Sequence, residues 1–280
     1  PDNMTADFAV TFTARDVCAL PYTAISSIQG SGAATPIPGA TATQGVVIGD
    51  YEVPSGAGQI RGFYLQDPVG DGDASTSDGI FVFNGNNNTV KLGDLVRVSG
   101  TASEFQGQTQ ISASSIVACG TGAVNPVDVI LPVADGSALE RYEGMLVRLS
   151  QTLFVTEHFQ LGRFGQIVVS SGGILRQPTN VQVPGPAANA LQAANDLNRL
   201  IIDDDSNTED PDPILLGRNG QPLTAANTLR GGDTATGIVG VLVYGWAGNN
   251  ASGNAYRVRP FGALGGTAVF QPINPRPLAA

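Results

Sequence analysis

Short segments in which hydrophobic and polar residues alternate run along most of the chain, and this is the pattern of β-strands with one buried face. The alternation predicts strands near residues 41–53, 59–66, 80–83, 95–101 and 109–117. Gly45 and Gly49 lie inside the first segment, where glycine marks a bend or a bulge. Because small Greek-key barrels need such a bent first strand, residues 14–122 are predicted to form a closed barrel of the OB type.

The same pattern begins again in the second half of the chain. Residues 143–147 (EGMLV) echo 44–48 (QGVVI), and the Gly-Asp of 229–233 echoes that of 91–94. Residues 256–259 occupy the position in the second unit that residues 109–112 occupy in the first. The first landmarks are about 100 residues apart and the second about 140, so the second unit carries an insertion. The sequence therefore predicts an all-β protein of tandem OB-like Greek-key barrels, the second at 123–270 with a helical insertion near 187–199.

Composition and charge limit the classes of function. Of 280 residues, 36 are glycine and 18 are proline, which suits a turn-rich β protein. The formal net charge is −10, from 14 basic and 24 acidic residues, so the surface as a whole does not attract nucleic acid. Any DNA contact needs bound cations or a local basic patch, for which the candidates are Arg141, Arg148, Arg163 and Arg176. The alternative is that these arginines pair with the surplus carboxylates. No apolar run is long enough to cross a bilayer, so no membrane span is expected.

Cys18 and Cys119 are the two cysteines, and they bracket the first predicted barrel. We predict that they form a disulfide, which would close a loop of about 100 residues; two buried free thiols are the alternative. Scarce lysine, abundant Thr, Ser, Asn and Gly, and this cysteine pair favour an oxidising, secreted or extracellular setting.

Two acidic segments are candidate calcium sites. The first lies between predicted strands and contains Asp67, Asp71, Asp73 and Asp78; the second contains Asp203 and Asp205, at what we expect to be the equivalent place in the second barrel. Calcium prefers several oxygen ligands on a flexible loop. The alternative is an acidic loop that is solvated and holds no metal, since the spacing matches no EF-hand.

Aromatic side chains of the first barrel are candidate nucleic-acid contacts. OB barrels stack bases on aromatics of their second and third strands, and the candidates here are Tyr64, Phe81, Phe83 and Phe105. The alternative is that these rings pack in the core or between domains. The one histidine, His158, lies between apolar residues and is expected to have a structural or surface role. No nucleophile elbow or phosphate loop is present in the sequence.

Several stretches together resemble the OB-like accessory region of bacterial secreted extracellular nucleases. They are GFYLQD, GDGDASTSDGIFVF, GDLVRVSGTASEFQGQTQIS, ALERYEGMLVRL and ANTLRGGDTATGIVGVL, and the resemblance covers about residues 20–277. Residues 1–13 separately resemble the closing strand of a bacterial immunoglobulin-like module, so they are expected to be the residual strand of a preceding module.

The resemblance implies a role for the chain within a larger nuclease, and it assigns no catalytic residues to the chain itself. In that family a catalytic domain of the endonuclease/exonuclease/phosphatase fold follows, and residues 271–280 are expected to be the linker to it. Its centre uses two histidines and, by family resemblance, Mg²⁺ or Mn²⁺; this chain has one histidine, so no catalytic residue carries over. The implied role is an accessory region that holds or orients DNA beside the catalytic domain. The alternative is a calcium-stabilised structural spacer that docks on that domain without touching substrate.

Overall fold

The structure is a computed structural model that describes residues 16–52, 60–246 and 253–273. The strand predicted at 1–13 and most of the linker predicted at 271–280 lie outside these residues. The described residues form two β-barrels with a few short helices, as the alternation predicts.

The first barrel is closed by five strands. They are β1 (Gly39–Tyr51), β2 (Gly62–Gln66), β3 (Gly79–Phe83), β4 (Asp94–Phe105) and β5 (Gln108–Thr121), in the order β1-β2-β3-β5-β4. β3 and β5 are parallel, and the other neighbours are antiparallel. Phe63, Leu65, Ile80 and Val82 point inward and are fully buried. The register of β1 shifts between Val47 and Gly49, which is the irregularity that its glycines predict.

The second barrel repeats this topology. Its strands are β6 (Val127–Asp128), β7 (Leu146–Glu157), β8 (Ile167–Ser171), β9 (Leu200–Ile202), β10 (Thr234–Trp246) and β11 (Asn254–Arg259). The sheet order is β10-β11-β9-β8-β7-β6, and an additional pairing of β10 with β7 closes five strands into a ring. β9 and β11 are parallel, as β3 and β5 are. The prediction of tandem OB-like barrels is thereby confirmed.

In the part of the chain that the structure describes, four short α-helices lie before or between these strands. They are α1 (Ile25–Gln29), α2 (Leu161–Phe164), α3 (Pro178–Val181) and α4 (Pro186–Leu197). α4 is the predicted insertion, and Pro186 starts it at a position where its missing N–H costs nothing. No helix among the described residues is long and apolar enough to cross a membrane.

The insertion corrects one expectation about the two acidic segments. It lies between β8 and β9, which is the place that the first acidic loop occupies between β2 and β3. The second acidic segment instead follows β9, so the two segments are not equivalent. The length of the insertion hid this displacement in the sequence.

The predicted disulfide is present. Cys18 is bonded to Cys119 across a sequence separation of 101 residues. It ties the short turn of 3-10 helix at Val17–Ala19 to β5, and so fastens the entry segment to the last strand of the first barrel.

The barrels share an apolar interface, which we call the junction core. The first barrel contributes the buried residues Ile48, Tyr51, Tyr64 and Phe81. The second barrel and the segment that follows it contribute Leu146, Val241, Val243 and Ala263. Polar contacts flank this core: the Leu146 N–H donates to Gln66 Oε1 at 2.8 Å, and Ser77 Oγ donates to the Glu143 carbonyl at 2.6 Å. Gly79 allows the close approach, since a Cβ there would lie 2.3 Å from the Gly144 backbone.

Candidate nucleic-acid interface at the barrel junction

The second barrel covers the face of the first barrel on which OB folds bind their ligands. That face is formed by the second and third strands together with the loops beside them. Its two aromatics, Tyr64 and Phe81, are packed in the junction core with ring centroids 4.9 Å apart, and Tyr64 is only 2% exposed. Both rings are nearly buried, at 2% and 6% exposure, and reach only the edge of the groove between the two barrels, so the packing alternative is favoured for these two residues.

Phe83, the third predicted aromatic, is also largely covered. It packs against the junction core, and the Arg61 guanidinium carbon lies 5.5 Å from its ring centroid. The guanidinium group therefore lies over one face of the Phe83 ring.

A groove remains open where the two barrels meet, and we call it the junction groove. Its volume is about 140 Å³, and residues from both barrels line it, among them Phe105, Gln106, Gln108, Tyr244, Trp246, Arg257 and Arg259. Phe105 is 59% exposed and Trp246 is 43% exposed. Of the four predicted aromatics, Phe105 is the one with a largely exposed ring.

The turn between β4 and β5 holds Phe105 at this groove. Gln106 and Gly107 both have positive φ, 54° and 80°, as the two-residue turn of a tight hairpin requires. A Cβ at Gly107 would lie 2.9 Å from the Tyr244 ring, so glycine lets the turn approach β10. Asn254 Nδ2 donates to the Gln106 carbonyl at 2.7 Å and joins the turn to the second barrel.

Two buried guanidinium groups, Arg257 and Arg259, form the base of the junction groove. Both pair with the fully buried carboxylate of Asp203, at 3.3 Å from Arg257 Nη1 and 3.5 Å from Arg259 Nε. Neither arginine Nε has a hydrogen-bond partner among the described residues. Two cations of the groove lining thus share one fully buried anion.

The carboxyl groups that follow Asp203 are protonated more readily than usual. Burial raises the pKa of Asp205 to about 8. Burial, helped by the charge of Asp203, raises the pKa of Asp204 to about 7. The Gly262 N–H donates to Asp205 Oδ2. Near neutral pH, these two groups therefore offset the charge of the arginines less than ionised aspartates would.

These shifts predict that stability decreases as pH rises from about 5 to about 8. The unfolded aspartates have a pKa of about 3.9, so in this range the native state holds protons that the unfolded state has lost, and the free energy of unfolding falls with pH. We expect a lower thermal midpoint at pH 8.5 than at pH 5.5. The Asp204→Asn/Asp205→Asn double variant should show a smaller difference between the two pH values; an unchanged difference would contradict the assignment.

Arg163 lies away from the junction groove. It is in α2, where its guanidinium lies 5.1 Å from the Phe164 ring centroid and 3.0 Å from Glu209 Oε1. Both members of this ion pair are more than half exposed. The structure therefore does not bring Arg163 together with Phe105, and its charge is offset by an acidic neighbour.

The carboxylates of the first acidic loop bind the backbone of that loop. Asp67 accepts from the Val69 N–H at 2.9 Å, Asp71 from the Asp73 N–H at 2.8 Å, and Asp73 from the Ser75 N–H at 2.8 Å. The bond from the Asp73 N–H lowers the pKa of Asp71, and the Ser75 hydroxyl, together with the Ser75 N–H, lowers the pKa of Asp73. Burial raises the pKa of Asp78. The loop is thus held by its own hydrogen bonds.

The carboxylates of the two acidic segments are not gathered into one cluster in the described residues. Across residues 16–52, 60–246 and 253–273, no three or more His, Cys, Asp or Glu side chains converge as metal ligands would. In the second acidic segment, Asp203 is engaged by arginines and by Gln166 Nε2 at 2.9 Å, and Asp205 accepts from Gly262. Calcium stays a prediction for measurement in solution.

Sequence analysis missed Tyr244, Trp246, Arg257 and Arg259. The available signal was the repeat itself: residues 256–259 were aligned with 109–112, and Gln110 and Arg257 do occupy equivalent positions, paired with Phe81 and Ile201 respectively. What the repeat could not show is that both strands border one groove.

In comparisons with known proteins, no protein-family profile, no curated protein and no solved structure matches this chain.

Proposed function

We propose that this chain is a non-catalytic accessory region of a secreted, DNA-degrading nuclease, and that its junction groove holds a single strand of DNA beside a catalytic domain of the same parent protein. The resemblance of its sequence stretches to such nucleases supports the context. The disulfide is compatible with an extracellular setting.

One observation carries the proposal: Phe105 and Trp246 are exposed next to the buried cations Arg257 and Arg259. Every base has a face that stacks on an aromatic ring, and a positive groove attracts the backbone. A volume of 140 Å³ equals that of about five water molecules at ~30 Å³ each, which suits one ring. A base within a duplex is stacked on both faces, so the groove favours single strands.

The proposal predicts weak, salt-sensitive binding of single-stranded DNA. Because the net charge is −10, long-range attraction is absent and stacking supplies most of the affinity. Stacking is worth about 1–3 kcal/mol per base, so the Phe105→Ala/Trp246→Ala double variant should bind at least about tenfold more weakly. The measurement is fluorescence anisotropy with a labelled oligo-dT and a matched duplex, at low salt.

The matched control is Phe159→Ala, since Phe159 is an exposed ring that does not line the junction groove. We expect this variant to bind oligo-dT as the parent does. Stronger binding of the duplex, or an equal loss in both variants, would contradict the proposal.

A second candidate function is a structural spacer that docks on the catalytic domain. It is favoured because the second barrel covers the face of the first barrel on which OB folds bind ligands. Its distinguishing result is no detectable DNA binding at low salt, with or without calcium.

Calcium is tested separately by thermal melts in calcium and in chelator. Because the carboxylates of the first acidic loop are bonded to its own backbone, we expect equal midpoints in the two solutions. A midpoint several degrees higher in calcium than in chelator would show that the folded protein binds calcium.

A further inference from the structure

A second groove lies on the outer face of the second barrel, and we call it the β8–β9 groove. Its volume is about 530 Å³, within the range of small-ligand sites. Val168 of β8 and Ile201 of β9 line it, together with Phe159 from the β7–β8 connection and Arg199 from the end of the helical insertion. The neighbours of Val168 and Ile201 along their strands point into the barrel core, so these two side chains face outward.

The strand order that the two barrels share shows which face of the second barrel carries this groove. β7, β8 and β9 correspond to β1, β2 and β3, because the two rings have the same order and the same parallel pair. The β8–β9 groove is therefore the second barrel's version of the face that OB folds use for oligonucleotides or oligosaccharides. In the first barrel that face is covered, whereas here it is open.

The charges of the groove select between these two classes of ligand. Its charged side chains are Glu157, Asp196 and Arg199, two carboxylates against one guanidinium. Arg199 Nη2 is paired with Glu157 Oε2 at 3.0 Å, and Asp196 accepts from Gln192 Nε2 at 2.7 Å. The groove is thus neutral to negative. Phosphates bind through uncompensated cations, so a nucleic acid is disfavoured and an uncharged ligand is favoured.

The remaining lining suits a sugar. Phe159 is 83% exposed and presents an apolar ring at the rim. Gln160 also lines the groove, and with the Glu157–Arg199 pair it places polar groups where the hydroxyl groups of a ligand can use them. We infer that the β8–β9 groove binds a segment of a neutral saccharide chain, with Phe159 against the C–H face of a sugar ring.

The test is native affinity electrophoresis in gels that contain soluble starch, hydroxyethyl cellulose, dextran or galactomannan. The protein migrates readily because its pI is about 4.4. We expect retardation by at least one polymer, and a dissociation constant about tenfold higher for Phe159→Ala, as loss of one aromatic contact implies. Phe159 is so exposed that its replacement should leave the melting midpoint unchanged, which verifies folding.

The matched control is the Phe105→Ala/Trp246→Ala variant, which alters only the junction groove and should be retarded like the parent. Migration unaffected by all four polymers would overturn the inference, as would retardation that Phe159→Ala leaves intact. Loss of oligo-dT binding in Phe159→Ala would overturn it in favour of a nucleic-acid ligand. Because the DNA proposal depends on the other groove, either proposal can fail without the other.

Discussion

Replacing Asp203 by alanine is expected to lower the free energy of unfolding by about 3–5 kcal/mol. Asp203 is fully buried and is the carboxylate that pairs with both Arg257 and Arg259. Removing it leaves two buried guanidinium groups without the carboxylate that they share, and an uncompensated buried charge is costly. Gln166, which donates to Asp203 at 2.9 Å, also loses its acceptor.

The measurement is urea unfolding of the variant and its parent, followed by circular dichroism. Asp128→Ala is the matched control, because Asp128 pairs with Arg148 at 2.7 Å but both side chains are nearly half exposed. An exposed pair contributes about 0–1 kcal/mol. Equal losses in the two variants would show that the Asp203 pair is not buried as described.

Loss of the disulfide is the second large effect that we expect. The Cys18→Ser/Cys119→Ser variant should be less stable by about 2–5 kcal/mol, since the bond closes a separation of 101 residues and so restricts the unfolded chain. Urea unfolding with and without reductant measures this difference. Reductant should lower the midpoint of the parent to that of the double variant and leave the variant unchanged. A double variant as stable as the oxidised parent would contradict the prediction.

The barrels were predictable because their inward residues alternate without interruption. Phe63 and Leu65 face Val82 and Ile80 across β2 and β3, and this local pattern is visible in the sequence alone. The second barrel followed from the repeat: Val258 pairs with Ile202 as Ile111 pairs with Val82. The insertion α4 was visible from its helical composition.

The candidate site was not predictable in the same way. Alternation shows that Tyr64 and Phe81 point out of the first barrel. It does not show whether that outer face is exposed to solvent or packed against another barrel. That outcome depends on how two separately closed sheets pack, which no local pattern encodes. The acidic run at 203–205 looked like a metal site, because its arginine partners at 257 and 259 lie more than 50 residues away along the chain.

The central claim is that a single strand lies in the junction groove, and photo-cross-linking tests it most directly. An oligonucleotide carrying 5-iododeoxyuridine, irradiated with the intact protein and digested for mass spectrometry, should attach to peptides that contain Phe105 or Trp246. Excess unlabelled oligo-dT should suppress the adduct. Adducts confined to other peptides, or none above the level of an unrelated acidic protein, would contradict the account.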